Sequence, residues 1–138
     1  MTLPSILEGK KIFIIEDDPM SLSLISSCLL KHGARIEANA LGFDIIDHLV
    51  ESMPVDLIIL DVNLRKNLPG YQVLENIRSM PSLYQVPVVM VTATDWEIAL
   101  PKARAAGANG FIAKPFNLAH FAAHIDRVLS GGQVWVTA

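Results

Sequence analysis

Five short apolar runs punctuate the chain, and most of what lies between them repeats at helical spacing. This alternation limits the fold more than any other feature of the sequence. The runs are Lys11–Ile15 (KIFII), Ala34–Ala38 (ARIEA), Val55–Leu60 (VDLIIL), Val86–Thr92 (VPVVMVT) and Gly110–Ala113 (GFIA). Between and after them, Met20–His32 sets Leu24, Ile25, Cys28 and Leu29 on one helical face, and Phe43–Ser52 does the same with Ile45, Ile46, Leu49 and Val50. Tyr71–Met80 uses Val73, Leu74 and Ile77, and Leu118–Leu129 uses Phe121, Ala122, Ile125, Val128 and Leu129, while Trp96–Ala106 is more weakly patterned. Strands alternating with helices predict an α/β, doubly wound parallel sheet covered on both faces. The third and fourth runs are nearly all apolar and suit the centre; ARIEA carries Arg35 and Glu37 and suits an edge.

The length of 138 residues accommodates one domain with a real core. The reading is an extension at 1–10, a domain at 11–130 and a tail at 131–138. The closing SGGQVWVTA, hinged by glycine, suits a short extra strand, a docking tail or disorder. Hydrophobic residues make up 51% and charged residues 18%, as in a compact globular chain. A net charge of −3 gives no electrostatic case for direct nucleic-acid or membrane binding. A single cysteine, Cys28, excludes a disulfide framework and is expected in the core. No apolar run has membrane-spanning length, and MTLPSILEGKK lacks the shape of a signal peptide, so a cytoplasmic location is expected.

Ligands of open parallel sheets bind outside the carboxyl ends of the strands. The first strand leads into Glu16, Asp17, Asp18 and Pro19, the third into Asp61, the fourth ends at Thr92, and the fifth leads into Lys114 and Pro115. Asp18 before Pro19 reads as a helix cap, which leaves Glu16 and Asp17 unexplained. Each residue alone is an ordinary loop or surface residue. Together they put three carboxylates, a hydroxyl and an ammonium on one edge. Such a cluster can hold Mg²⁺ through oxygen, and a neutralised carboxylate beside a lysine can attack phosphorus.

In this order the residues resemble the receiver domain of bacterial two-component response regulators. The matching stretches are IFIIEDDP, DLIILDVNL, VPVVMVTATD and AGANGFIAKPF, spanning about residues 11–130. The resemblance implies a five-stranded, flavodoxin-like sheet of order 2-1-3-4-5 with five flanking helices. It makes Asp61 the phosphoacceptor, and Glu16, Asp17, Asp61 and the backbone carbonyl of Asn63 the ligands of Mg²⁺ or Mn²⁺. It assigns Thr92 and Lys114 to phosphoryl contacts, Thr92 and Phe111 to the conformational switch, Asn63 and Thr94 to tuning of phosphoryl lifetime, and Pro115 to a cis peptide bond. The implied partners are a sensor histidine kinase or phosphotransfer protein and a downstream protein target. A homodimer through the fourth-helix, fifth-strand and fifth-helix face is a further option. The chain would be a self-phosphorylating acceptor in a phosphorelay, not a multi-substrate enzyme.

The sequence also departs from the family pattern. Glu16 stands where aspartate is commoner, Val62–Gly70 is one residue longer than usual and carries Arg65 and Lys66, and Pro101 falls inside the fourth helix, where it should kink the helix or delay its start. His120 and His124 have metal-compatible spacing with no third ligand evident, and read as a solvated face; His32 and His48 read as incidental. Two alternatives compete. A phosphorylation-independent adaptor would not need all five site types. A phosphohydrolase of the haloacid-dehalogenase type would want an acid two residues after the nucleophile, where this chain has Asn63.

Overall fold

A computed structural model of the chain describes residues 6–41, 44–64, 68–93, 95–114 and 117–137. Its elements follow in order β1 (Lys11–Ile15), α1 (Pro19–Lys31), β2 (Arg35–Asn39), α2 (Ile45–Ser52), β3 (Leu57–Asp61), β4 (Asn63–Leu64), β5 (Leu68–Pro69), α3 (Gly70–Ser79), β6 (Val88–Thr92), α4 (Trp96–Ala105), β7 (Gly110–Ala113), α5 (Leu118–Leu129) and β8 (Val134–Val136). The main sheet has six strands in the order β2-β1-β3-β6-β7-β8, and every pairing is parallel.

The first five positions of that sheet reproduce the order implied by resemblance. The sixth strand corrects the expected strand count: the tail folds back as β8 and pairs Val134, Trp135 and Val136 with Gly110, Phe111 and Ile112. Gly110 permits this approach, because a Cβ there would lie 2.9 Å from the Val134 carbonyl oxygen. Trp135 lies under the Arg104 guanidinium of α4, 4.4 Å from carbon to ring centre.

Alternation along the central strands divides the core into two layers. Ile58, Leu60, Val88, Met90 and Phe111 pack with Leu49, Leu74, Ile77 and Ala103 beneath α2, α3 and α4. Leu57, Ile59, Val89, Val91 and Ile112 pack with Ile25, Leu29, Phe121 and Ile125 beneath α1 and α5. Both central strands, β3 and β6, are buried along their whole length. Cys28 is half-buried rather than in the core, its Sγ 3.8 Å from the Leu118 carbonyl oxygen. Pro101 sits inside α4 without delaying its start, since Asp95 caps the helix by accepting from the Glu97 amide. Among the described residues, no helix is long and apolar enough to cross a membrane.

His48 is not incidental. It is buried against Phe13 and bonded through both ring nitrogens, 3.1 Å from the Asn39 amide and 2.8 Å from Glu37. It ties α2 to β2.

One arginine fixes the loops behind the sheet. Arg78, at the end of α3, donates to the carbonyls of Tyr84, Val86 and Gly107 and to Asn109 Oδ1 at 2.7–3.1 Å. Its planar fork joins the segments that lead into β6 and β7, a geometry that lysine cannot reproduce. Replacing Arg78 by alanine is expected to destabilise the fold by about 2–3 kcal/mol, because several carbonyls lose a charged donor. Arg78→Lys should recover little of this. Urea unfolding of both variants checks the expectation.

Candidate functional site

Strand register brings the acidic residues level. Ile15 pairs with Leu60, so Glu16 and Asp61 leave the sheet side by side. Asp61 in turn pairs with Val91, and Thr92 pairs with Ala113, which places Thr92 and Lys114 one step further out on the same edge. The backbone holds these exits: the Val62 amide donates to Val91, the Glu16 amide to Asn39 and the Lys114 amide to Thr92. Asp18 stands apart as the cap of α1, accepting from the Ser21 amide at 3.0 Å, and Pro19 opens the helix as read. Hydrogen bonding from the Ser21 side chain, and then from its amide, holds the Asp18 carboxyl below its ordinary value.

Lys114 is the hub. Its Nζ lies 2.6 Å from Glu16 Oε1, 3.0 Å from Asp61 Oδ2 and 3.0 Å from Ser21 Oγ. The other Asp61 oxygen, Oδ1, accepts from the Asn63 amide at 2.8 Å. The Asn63 side chain donates to Thr92 Oγ1 at 3.3 Å. Glu16 is fully buried, Asp61 is 6% exposed, and Thr92 is 1% exposed. Asp17, next to Glu16, is half-buried, and Phe111 is wholly buried with its ring in the α2–α4 layer. The structure thus brings together Glu16, Asp61, Asn63, Thr92 and Lys114. Thr94, Pro115, Arg65 and Lys66 lie outside the described residues.

The loop after Asp61 is shaped by a glycine. Asn63–Leu64 and Leu68–Pro69 within the long Val62–Gly70 segment form a short antiparallel pair. It closes where the Gly70 amide meets the Val62 carbonyl at 2.6 Å. A side chain at Gly70 would overlap the Asp61 carbonyl oxygen and come within 2.9 Å of Val62 Cα. Any Cβ there would displace the strand end that carries Asp61.

Two buried carboxylates share one ammonium, and the charges do not balance. Burial pushes the Glu16 carboxyl up to about 7, hydrogen bonding and charge from Asp61 add to the rise, and Lys114 offsets only part of it. For Lys114, burial acts downward, but the bonds and charges of Glu16 and Asp61 win, and its ammonium is held above the ordinary lysine value. Glu16 Oε2 is buried with no hydrogen-bond partner among the described residues. An orphaned carboxylate oxygen in an acid-rich cleft is what a hard divalent cation would satisfy, so the donor set fits Mg²⁺. Among the described residues, no three acidic, histidine or cysteine side chains gather closely enough to hold an ion alone. A backbone carbonyl and water are therefore needed beside the carboxylates.

Ser21 escaped the sequence reading. It is the third residue of α1, one turn beyond the acidic run, so the capping geometry that fixes Asp18 also turns the Ser21 hydroxyl towards Lys114. The Asn63–Thr92 side-chain bond was equally invisible, because it joins residues from neighbouring strand ends.

The family model for the response regulator receiver domain matches residues 12–126. The chain belongs to that family. It is similar to the chemotaxis protein CheY4 of Vibrio cholerae, with 27% identity, 86% of this chain and 98% of that one covered, and a TM-score of 0.73. It is also similar to the signal receiver domain of a histidine kinase from Syntrophus aciditrophicus, with 28% identity, 89% and 92% coverage and a TM-score of 0.77. The receiver domain of the sensor histidine kinase PA1611 from Pseudomonas aeruginosa, with magnesium coordinated in its active-site cleft, matches at 28% identity, 90% and 99% coverage and a TM-score of 0.75.

The raised Glu16 carboxyl predicts a pH signature. The folded chain keeps a proton that the unfolded chain releases near 4.5, so this contribution to stability is fully present below 4.5 and is lost as pH rises through about 7. In metal-free buffer, stability should fall across that window. Glu16→Gln should flatten the slope, and Mg²⁺ should restore wild-type stability above it. Urea denaturation at stepped pH checks this; an unchanged slope in the variant would assign the titration elsewhere.

Proposed function

We propose that this receiver accepts a phosphoryl group on Asp61 from a phosphohistidine donor and passes the event on as a change of conformation. The observation that carries the proposal is the clamping of Asp61. A nearly buried carboxylate at the end of a central strand has one oxygen held by the Asn63 amide and the other by Lys114. This fixes the attacking group in position before a donor arrives.

In the transfer, an Asp61 oxygen forms a bond to phosphorus as the bond from phosphorus to the donor imidazole nitrogen breaks, and the imidazole leaves with the electron pair. Lys114 follows the charge from the carboxylate to the phosphoryl oxygens. Thr92 exchanges its bond with Asn63 for one to the phosphoryl group, and Phe111, packed in the layer beneath, responds to the space that Thr92 vacates. Asp17, Asp61 and the Asn63 carbonyl would hold Mg²⁺ or Mn²⁺, with Glu16 helping through water, and the ion would supply charge neutralisation for the transferring group. The side chain two residues after the acceptor is an amide, Asn63, with no proton to give a leaving alcohol; this supports a switch over a phosphatase.

The mouth of the site suits a protein donor. A cleft of about 550 Å³ beside Lys114 is bordered by Met20, Leu24 and Leu118, all exposed apolar side chains. A histidine kinase or phosphotransfer protein in the cytoplasm fits that surface, and the helices α4 and α5 remain for a downstream protein. A homodimer through this second face would meet β8 and not the edge of β7, because β8 already covers that edge.

Incubation with Mg²⁺ and acetyl phosphate should add the mass of one phosphoryl group. Asp61→Asn should abolish the adduct, and Lys114→Ala should slow its formation by about 10²-fold or more, in line with the loss of one charge-stabilising donor. An adduct that persists in folded Asp61→Asn, or none on the folded wild type, overturns the proposal. Sedimentation with and without beryllofluoride tests whether phosphorylation changes the oligomeric state.

A further inference from the structure

His120 and His124 read from the sequence as a solvated face, but the tail changes their setting. Because β8 folds back beside α5, a cavity of about 290 Å³ opens between the two elements. Its apolar lining includes Ile112, Phe121 and Val136, and its polar groups include His120, His124 and Thr137. His120 is exposed, and His124 is half-buried. The two imidazoles lie one turn apart on the same helix face, with ring centres 6.4 Å apart and planes at 47°. The i, i+4 spacing is one by which a helix presents two imidazoles to a single zinc ion, whose bonds to imidazole nitrogen are about 2.0–2.1 Å.

The chemistry of this pair differs from that of the acidic cleft. Imidazole nitrogen favours Zn²⁺, Ni²⁺ and Cu²⁺, whereas carboxylate and carbonyl oxygen favour Mg²⁺. Burial, then repulsion from the neighbouring His120 and Arg127, holds His124 below the ordinary histidine value. Arg127 opposes a cation there, but it is exposed, and its charge is screened by solvent.

We propose that His120 and His124 form a binding site for an imidazole-preferring divalent transition-metal ion, Zn²⁺, Ni²⁺ or Cu²⁺, in the cavity between α5 and β8. Water and the Thr137 hydroxyl are available for the remaining positions. Two protein imidazoles are fewer than a structural zinc site employs, so the ion exchanges with solution and is not a permanent part of the fold. The site is separate from the phosphoacceptor cleft in its ligands and stands whether or not Asp61 is phosphorylated.

Calorimetric titration of the full chain with Zn²⁺, in saturating Mg²⁺ at neutral pH, should show one bound ion. Each single substitution, His120→Ala or His124→Ala, should weaken binding by at least about tenfold, since losing a ligand costs no less than losing its outer-shell partner. The double variant should bind none, Asp61→Asn should bind as the wild type does, and affinity should fall as pH drops below the histidine range. Cu²⁺ added to the wild type should give an electron paramagnetic resonance spectrum with nitrogen hyperfine from imidazole; this readout needs no variant to fold. No uptake by the wild type, uptake that survives the double substitution, loss in Asp61→Asn or an all-oxygen Cu²⁺ spectrum would each overturn the proposal.

Discussion

The arrangement of this protein depends on one ammonium group set between two buried carboxylates. Lys114 reaches Glu16 and Asp61 together, and neither acid could be buried as an anion without it. The triangle requires β1, β3 and β7 to end on the same edge with their exits close together. A parallel sheet delivers this, because every strand releases its chain at the same side. One positive charge cannot fully answer two negative ones. The shortfall appears as a Glu16 carboxyl raised to about 7 and as an Oε2 atom without a partner among the described residues. A divalent cation of the kind proposed above would answer that shortfall.

The same triangle explains why neighbouring backbone positions are so restricted. Asp61 must stay at its register position while one oxygen is held by Asn63, so the chain turns at once into the β4–β5 pair. That turn brings Gly70 against the Asp61 carbonyl, where no side chain fits. Asn63 then serves twice, its amide orienting Asp61 and its side chain holding Thr92. Asp61 is therefore linked to Thr92 through one residue. Asp95, three positions after Thr92 in the sequence, caps α4. The route from chemistry to a surface helix is short and covalent for most of its length.

The parts of this design that were legible in the sequence are those fixed by local pattern. Apolar patterning gave five strands of the main sheet and the five helices within a residue or two, though not β4 and β5, and strand ends carrying Glu16, Asp61, Thr92 and Lys114 could be gathered because a parallel sheet puts all its exits on one edge. Order within the sheet came from resemblance, since periodicity does not say which strands are neighbours. What stayed hidden depends on contacts between distant segments. Ser21 reaches Lys114 across 93 positions of sequence, and Arg78 reaches Asn109 across 31. The tail is the clearest case. VWV alternates too briefly to commit to a strand, and only Gly110, by leaving room for the Val134 carbonyl, makes the edge of β7 able to receive it.

That added strand alters what the far face of the domain can do. The two edges of the sheet are protected differently: β2 carries Arg35 and Glu37, whereas β8 is uncharged and relies on being only three residues long. β8 also belongs to both core layers. Val134 packs with the α1 and α5 side, and Trp135 packs with the α2–α4 side while stacking on Arg104. A shift of α4 must either carry Trp135 with it or break the stack. Such a cation–π contact is worth about 0.5–1 kcal/mol near the surface, whereas coupling between sites runs to about 1–3 kcal/mol. The stack is therefore too weak to lock α4 in place and strong enough to bias it. On the proposed reading, β8 would bias the resting position of α4, and phosphorylation of Asp61 would act against that bias.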